Sequence, residues 1–300
     1  MTSASGATAP QELPQDLPRD IARYVDLHMH STASDGALAP AAVIAAAHGA
    51  GLAAVCLTDH DSIGGIPEAR AAGGQLGLIV AAGAELSAHH GNREIHLLAL
   101  HITRLEVMER HLAGFRDARD ARGAMIVAQL NAIGVPVSIE AVRTQAAGGA
   151  LGRPHVARAL IAGGWVGSTR EAFDRYLAAG RPGYADKQRL DIDRAIAIAH
   201  EAGGIAVFAH PGPEGRRELI EPLVALGLDG LEVRHPSHSA EDSARLAALT
   251  EFFALVPSGG SDWHGLLHGP RQIGGMKVPW EWYERQLERA ERHRAPERAA

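Results

Sequence analysis

The chain has 300 residues, 46% hydrophobic and 21% charged, a globular composition that suits two domains or one α/β barrel carrying an insertion. Its 29 basic and 35 acidic side chains leave a net charge of −6, which disfavours a broad groove for long duplex nucleic acid and an anionic-membrane surface. One cysteine excludes an internal disulfide framework, no apolar run approaches the ~20 residues of a membrane span, and no signal peptide is visible, so a cytoplasmic protein is expected.

Residues 1–21 are rich in Ala, Pro, Ser and Thr and read as a disordered leader. Tyr24 to His30 alternates as a strand. Pro40 to Gly49 is an Ala-rich helix, opened by its proline and closed by its glycine. Leu52 to Leu57 is a continuous apolar strand of the kind found in parallel sheets, with Cys56 a buried thiol. A helix near Ile66 to Ala72 and strands at Gly77 to Ala82 and Glu94 to Leu100 continue the β/α alternation. Leu105 to Ile133, Ile139 to Ala147, Pro154 to Ala162 and Arg170 to Ala178 then read as helices with no strand between them. Alternation returns with a helix at Ile192 to Ala202 and a strand at Ile205 to Ala209. Helix Leu219 to Leu226, strand Gly230 to Val233, helix Ala240 to Glu251 and strand Leu255 to Ser258 follow. An amphipathic helix, Trp280 to His293, closes the pattern. The organisation is therefore a leader (1–21), an α/β body (22–102 and 183–282), a helical insertion (103–182) that would act as a substrate cap, and a C-terminal helix and tail (283–300).

The abnormal count is histidine, at 17. Nearly every predicted strand ends in a residue type that binds metals. His28 and His30 are two apart on a strand, so both leave the same face. Asp26 shares that face, either orienting a histidine or serving a structural hydrogen bond. Asp35 sits in a Ser-Asp-Gly turn. His60 follows Thr58-Asp59, Glu85 follows Gly83-Ala84, and His96 lies on the next strand. His210 follows Val207-Phe208-Ala209, and Asp262-Trp263-His264 follows Pro257 to Ser261. Ligands at the carboxyl ends of successive parallel strands converge at one mouth, so a metal site is expected.

These stretches, with Asp26-Leu27-His28-Met29-His30-Ser31 and Ala209-His210-Pro211 among them, resemble the PHP (polymerase and histidinol phosphatase) family. The resemblance implies a distorted (β/α)7 barrel and three divalent metal ions. Carried over residue by residue, His28, His30, Glu85 and Asp262 would hold one ion. Asp35, His60 and His264 would hold a second, and Glu85, His96 and His210 a third. Six imidazoles with three carboxylates suit manganese, iron or zinc rather than magnesium or calcium, and manganese is the first expectation. Three divalent ions against three carboxylates and a bridging hydroxide leave about +2, matching the roughly −2 of a phosphomonoester. The expected reaction is attack of that hydroxide on phosphorus.

The order of motifs and the helical insertion look most like the small stand-alone bacterial branch. That likeness implies removal of the 3′-phosphate from nucleoside 3′,5′-bisphosphates such as pAp, or 5′-to-3′ cleavage of short 5′-phosphorylated RNA. The net acidic charge favours the small nucleotide over the oligoribonucleotide. Arg153, before a helix opened by Pro154, either grips a second phosphate or is solvated beside a capping turn. Lys187 and Arg271 are the other candidate phosphate contacts, with surface roles as the alternative. His155 and His235 are candidate proton donors, or else a capping and a loop histidine. His238 shares the loop of His235. Arg116, Arg119 and Arg122, interleaved with Asp117 and Asp120, read as a solvated, ion-paired face, with a strip for a polynucleotide backbone as the functional alternative. Histidinol phosphate hydrolysis would call for an acidic pocket instead of Arg153 and Lys187. A non-catalytic PHP module is the reading from a different class, and the complete ligand set argues against it. Oligomeric state is not legible.

Overall fold

The computed structural model describes residues 23–146, 151–185, 189–265 and 269–294, with backbone alone at Arg116 and Arg119. The expected leader and Lys187 lie outside the described residues.

β1 (Tyr24–Met29), β2 (Ala54–Leu57) and β3 (Ile79–Ala82) pair in parallel, joined by α1 (Pro40–Gly49) and α2 (Ile66–Leu76). Every residue of β2 is buried, as a continuous apolar run in a sheet covered on both faces requires. Gly83 alone separates β3 from β4 (Ala84–His90), which turns back at Gly91 into β5 (Arg93–Leu100). The insertion follows: α3 (Leu105–Ala132), α4 (Ile139–Ala146), α5 (Arg153–Ala162) and α6 (Thr169–Ala172), the last running into a π turn at Phe173–Leu177. The chain returns through α7 (Ile192–Glu201), β6 (Ile205–Phe208), α8 (Arg217–Ala225), β7 (Gly230–Arg234), α9 (Ala240–Phe252) and β8 (Val256–Gly259). β9 (Val278–Pro279) and α10 (Trp280–Arg294) end the described chain.

Hydrogen bonding divides the strands into two sheets, ordered β3-β2-β1-β9 and β4-β5-β6-β7-β8. The expected barrel is therefore not one closed sheet among the described residues. β4 and β5 run antiparallel because the two-residue turn at Gly91 and Asn92 returns the strand beside its predecessor, and β6 pairs antiparallel with β5 after the insertion. Two isolated backbone bridges, His60 to Glu85 and Met29 to Trp263, join the sheets where the ligand-type residues stand.

The main core packs α1, α2 and α7 on the strands through Val43, Ile44, Ile66, Leu86, Leu97 and Ile196. A second core joins Val25, Leu27, Val207 and Val256 of both sheets to Trp280 and Tyr283 of α10. The insertion has its own core of Ile126, Leu130, Val142, Val156, Leu160 and Leu177. No described helix is long and apolar enough to cross a membrane.

Candidate metal centre

Alternation along β1 sends His28 and His30 to one face, both 0% exposed. The loop after β1 is pinned from β2, whose end carries Asp59. The Asp59 carboxylate accepts bonds from Ser31 N–H, Ser31 Oγ and Ser34 Oγ, each at 2.7 Å. That anchor fixes the turn bearing Asp35. Beyond β8, Gly260 lies so close to β1 that a Cβ there would stand 2.4 Å from His28 Cβ, so only glycine admits the approach. His210 and Asp262 both adopt left-handed backbone angles, φ 32° and 48°, strain concentrated at strand ends.

Glu85 is the hub. Its Oε1 lies 2.7 Å from His96 Nδ1 and 3.0 Å from His210 Nε2. Its Oε2 lies 3.1 Å from His28 Nε2, 3.2 Å from His30 Nε2 and 3.3 Å from His60 Nδ1. Burial alone would raise this carboxyl, and the imidazoles of His28 and His210 outweigh it, holding it well below the usual carboxylate range. Asp262 Oδ1 faces His30 Nε2 at 3.1 Å and His28 Nε2 at 3.3 Å. Burial opposes its ionisation too, and bonds to His235 and His30 win. Asp35, half-exposed, reaches His264 Nε2 at 3.3 Å; that bond first, and neighbouring imidazoles, lower its pKa to about 2.

Three overlapping groups of donor atoms result: His28, His30, Glu85 and Asp262; His30, Asp35, His60 and His264; and His60, Glu85 and His96. Compared with the expected sets, His30 and His60 are shared, and His210 joins through its contact with Glu85. A divalent cation fits this donor chemistry. The buried His30 Nδ1 has no hydrogen-bond partner and stands 3.8 Å from Asp35 Oδ1, an arrangement a cation between them would satisfy.

Sequence reasoning missed Glu232. It is fully buried in β7, with Oε1 3.0 Å from His28 Nδ1 and Oε2 accepting His210 N–H at 2.6 Å. It thus fixes the His28 Nδ1–H tautomer and turns Nε2 toward the cluster. Its signal was a lone acid between the apolar Leu231 and Val233. Asp26 takes the structural alternative, accepting N–H bonds from Ser261 and Gly274 at 2.9 Å.

His235 Nδ1 accepts Ser237 N–H at 3.1 Å, so its Nε2–H is the group that meets Asp262 Oδ2 at 3.2 Å. Arg271 Nη1 donates to the same oxygen and, at 3.1 Å, to the Asp262 carbonyl. Both residues therefore hold the outer side of Asp262. His238 links two loops, donating to Val233 O and accepting Gly212 N–H. Arg153 lies at the start of α5, its guanidinium 5.7 Å from the centroids of Phe173 and Tyr184 and donating to Leu177 O at 3.3 Å. His155 caps the same helix, Nδ1 accepting Gly152 N–H at 3.0 Å. Arg122 donates to Ala185 O at 2.8 Å, tying α3 to the end of the insertion.

The PHP domain family model matches residues 26–116. The chain is 37% identical over 257 residues to a 3′,5′-nucleoside bisphosphate phosphatase of Chromobacterium violaceum, covering 83% of this chain and 90% of that one. It is 35% identical over 247 residues to the 5′-3′ exoribonuclease Rnm of Escherichia coli strain K12, covering 80% and 84%. A crystal structure assigned as a metal-dependent phosphoesterase of Bifidobacterium adolescentis superposes with a TM-score of 0.72 at 30% identity, over 93% of this chain and 98% of that one.

Proposed function

The chain belongs to the PHP domain family of metal-dependent phosphoesterases, and from that membership we propose that it removes the 3′-phosphate of nucleoside 3′,5′-bisphosphates such as pAp. It is a hydrolase of phosphoric esters. The observation that carries the proposal is Glu85, one buried carboxylate facing five imidazoles, within a chain similar along most of its length to a bisphosphate phosphatase. In this reading His28, His30, Asp35, His60, Glu85, His96, His210, Asp262 and His264 hold three divalent ions, manganese first, with iron or zinc as alternatives. When bound, the ions supply a nucleophile at neutral pH and offset the phosphoryl charge. The two sheets form the halves of a distorted barrel, a reading supported by the two bridges between them.

The chain's own residues do the rest. Glu232 keeps the proton of His28 on Nδ1, away from the ions. His235 and Arg271 fix the outer oxygen of Asp262, which makes them positioning residues rather than a proton donor and a phosphate contact. The insertion caps the substrate. Arg153, pre-aligned by Phe173, Tyr184 and Leu177 O, binds the 5′-phosphate, with Lys187 as a second contact. His155 accepts Gly152 N–H at Nδ1, so its neutral ring offers Nε2–H as a hydrogen-bond donor to the leaving 3′-oxygen, which takes its proton from water.

A second reading, 5′-to-3′ cleavage of short 5′-phosphorylated RNA, is favoured by the likeness to Rnm. Chromatography of products from pAp, 3′-AMP, histidinol phosphate and a 5′-phosphorylated RNA trimer separates the readings. Selective conversion of pAp to AMP and phosphate supports the bisphosphatase; stepwise release of mononucleotides at higher efficiency replaces it with the nuclease. Arg153→Ala is expected to lower kcat/KM on pAp roughly 10- to 100-fold with little change on 3′-AMP. Equal losses on both substrates would remove the 5′-phosphate role.

A further inference from the structure

A separate group of donors lies at the amino-terminal ends of β6 and β7, the opposite end of the strands from Glu232 and His210. Asp229, which immediately precedes β7, is 4% exposed. His200, in the last turn of α7, places Nε2 2.7 Å from Asp229 Oδ2. His293, in the last turn of α10, places Nε2 3.1 Å from Oδ1. The two rings stack with centroids 3.7 Å apart and planes 9° apart. Asp229 Oδ2 also accepts Ala206 N–H at 2.9 Å, and Arg289 Nη1 stands 3.6 Å from Oδ1. Arg104 Nη2 donates to the carbonyls of both His200 and His293, at 3.0 and 3.2 Å, fixing the two helix ends side by side.

The geometry points to a second, structural metal site in which His200, Asp229 and His293 hold one transition-metal ion of the zinc class. Their donor atoms all lie within 4.8 Å of one another. In a tetrahedral site two donors each about 2.1 Å from one ion stand roughly 3.4 Å apart, so the 2.7 and 3.1 Å N···O separations must widen by less than an ångström on loading. The strand-end ring carries the same signature, imidazole nitrogens drawn onto a buried carboxylate, and there His30 and His264 also stack, at 4.1 Å and 21°. Two imidazoles with one carboxylate select zinc over magnesium or calcium. The imidazoles are 23% and 21% exposed, which leaves an entry path and room for water as a fourth ligand.

Occupancy requires each ring to move its proton from Nε2 to Nδ1, since both Nε2–H groups now donate to the ionised Asp229. Arg289 opposes the cation electrostatically. Its guanidinium is anchored beside the site by the carbonyls of Ala254 and Asp229, and the stacked rings must part for an ion to meet both Nε2 lone pairs. The ion would staple α10 to α7 and to β7, at the end of the strands where residues serve stability rather than chemistry.

The test uses the manganese-saturated holoenzyme equilibrated with zinc, beside His200→Gln and His293→Gln. Glutamine still donates to Asp229 but binds zinc poorly. The unmodified protein is expected to retain one more zinc per chain than either variant by elemental analysis. Zinc is also expected to raise its Tm a few degrees more than theirs. Manganese-supported phosphoester hydrolysis should be equal in all three. Equal zinc content in the folded variants and the unmodified protein overturns the site. Anomalous scattering at the zinc edge from crystals of the unmodified holoenzyme reads the question without any variant. A peak within bonding distance of Asp229 and both Nε2 atoms supports the site, and none there overturns it.

Discussion

Glu232 and His28 illustrate how one buried acid governs a ligand. The carboxylate holds the imidazole proton on Nδ1, and burial of both partners makes that bond directional. Glu232→Gln is expected to shift the metal-activation curve to roughly 10- to 100-fold higher concentration. An unchanged curve would show that Glu232 does not orient the ligand. His101 makes a different prediction. It is fully buried, and burial first, then the Arg294 charge, against its bond to Gln286, lowers its pKa to about 4. The unfolded chain therefore takes up this proton below about pH 6.5, while the folded chain does so only near pH 4. The linked stability is complete above pH 6.5 and declines as pH falls toward 4, by roughly 3 kcal/mol in all. His101→Asn, which tolerates the φ of 60° at this position, should flatten the fall in Tm between pH 6.5 and 4. An equally steep fall in the variant would assign the acid sensitivity to other groups. At this scale the sequence was informative about donor types and silent about distance. Nothing in the spacing of residues 28 and 232 says that they touch. Asp262 was legible as a ligand, while its contacts with His235 and Arg271 were not.

Among elements, the junction of β1 with the segment after β8 is the tightest. A Cβ at Gly260 would also lie 2.5 Å from His28 N. Gly260→Ala must push that segment off β1, at a cost of about 1–3 kcal/mol. Metal content should fall with Tm, and a variant with full metal and unchanged Tm would refute the close approach. Helices were read well from sequence because proline and glycine punctuate them: α1 spans Pro40 to Gly49 as expected. β4 was missed. Its alternation, Glu85, Ser87 and His89 against Leu86 and Ala88, faces the cluster on one side, so its polar members resemble a loop. β9, two residues long, is too short for any periodicity to mark. The same hidden hairpin is what divides the strands into two sheets.

For the whole molecule, the buried cluster is a stability problem that bound cations would solve. His28, His30, Glu85 and Asp262 are all buried, and their donor atoms crowd within 4.8 Å of one another. Removal of metal by a chelator is expected to lower Tm by several degrees and restoration of manganese to recover it. A Tm indifferent to chelation would mean that the hydrogen-bonded cluster is self-sufficient. The α/β class, the helical insertion and the strand-end convergence were legible because each repeats a local pattern. Sheet closure is a long-range hydrogen-bonding outcome with no local signature.

The edge of β1 away from β2 is covered entirely from the far end of the chain. Val278 and Pro279 pair with Val25 and Tyr24, Asp262 N–H bonds His28 O, and His30 N–H bonds Trp263 O. During vectorial synthesis that edge must wait, bare, until more than two hundred later residues have left the ribosome. An unpaired strand of this kind is a template for other chains. Nascent chains and truncations ending before Asp262 would therefore depend on chaperones, and the fate of this strand would be decided by a segment made more than two hundred residues after it.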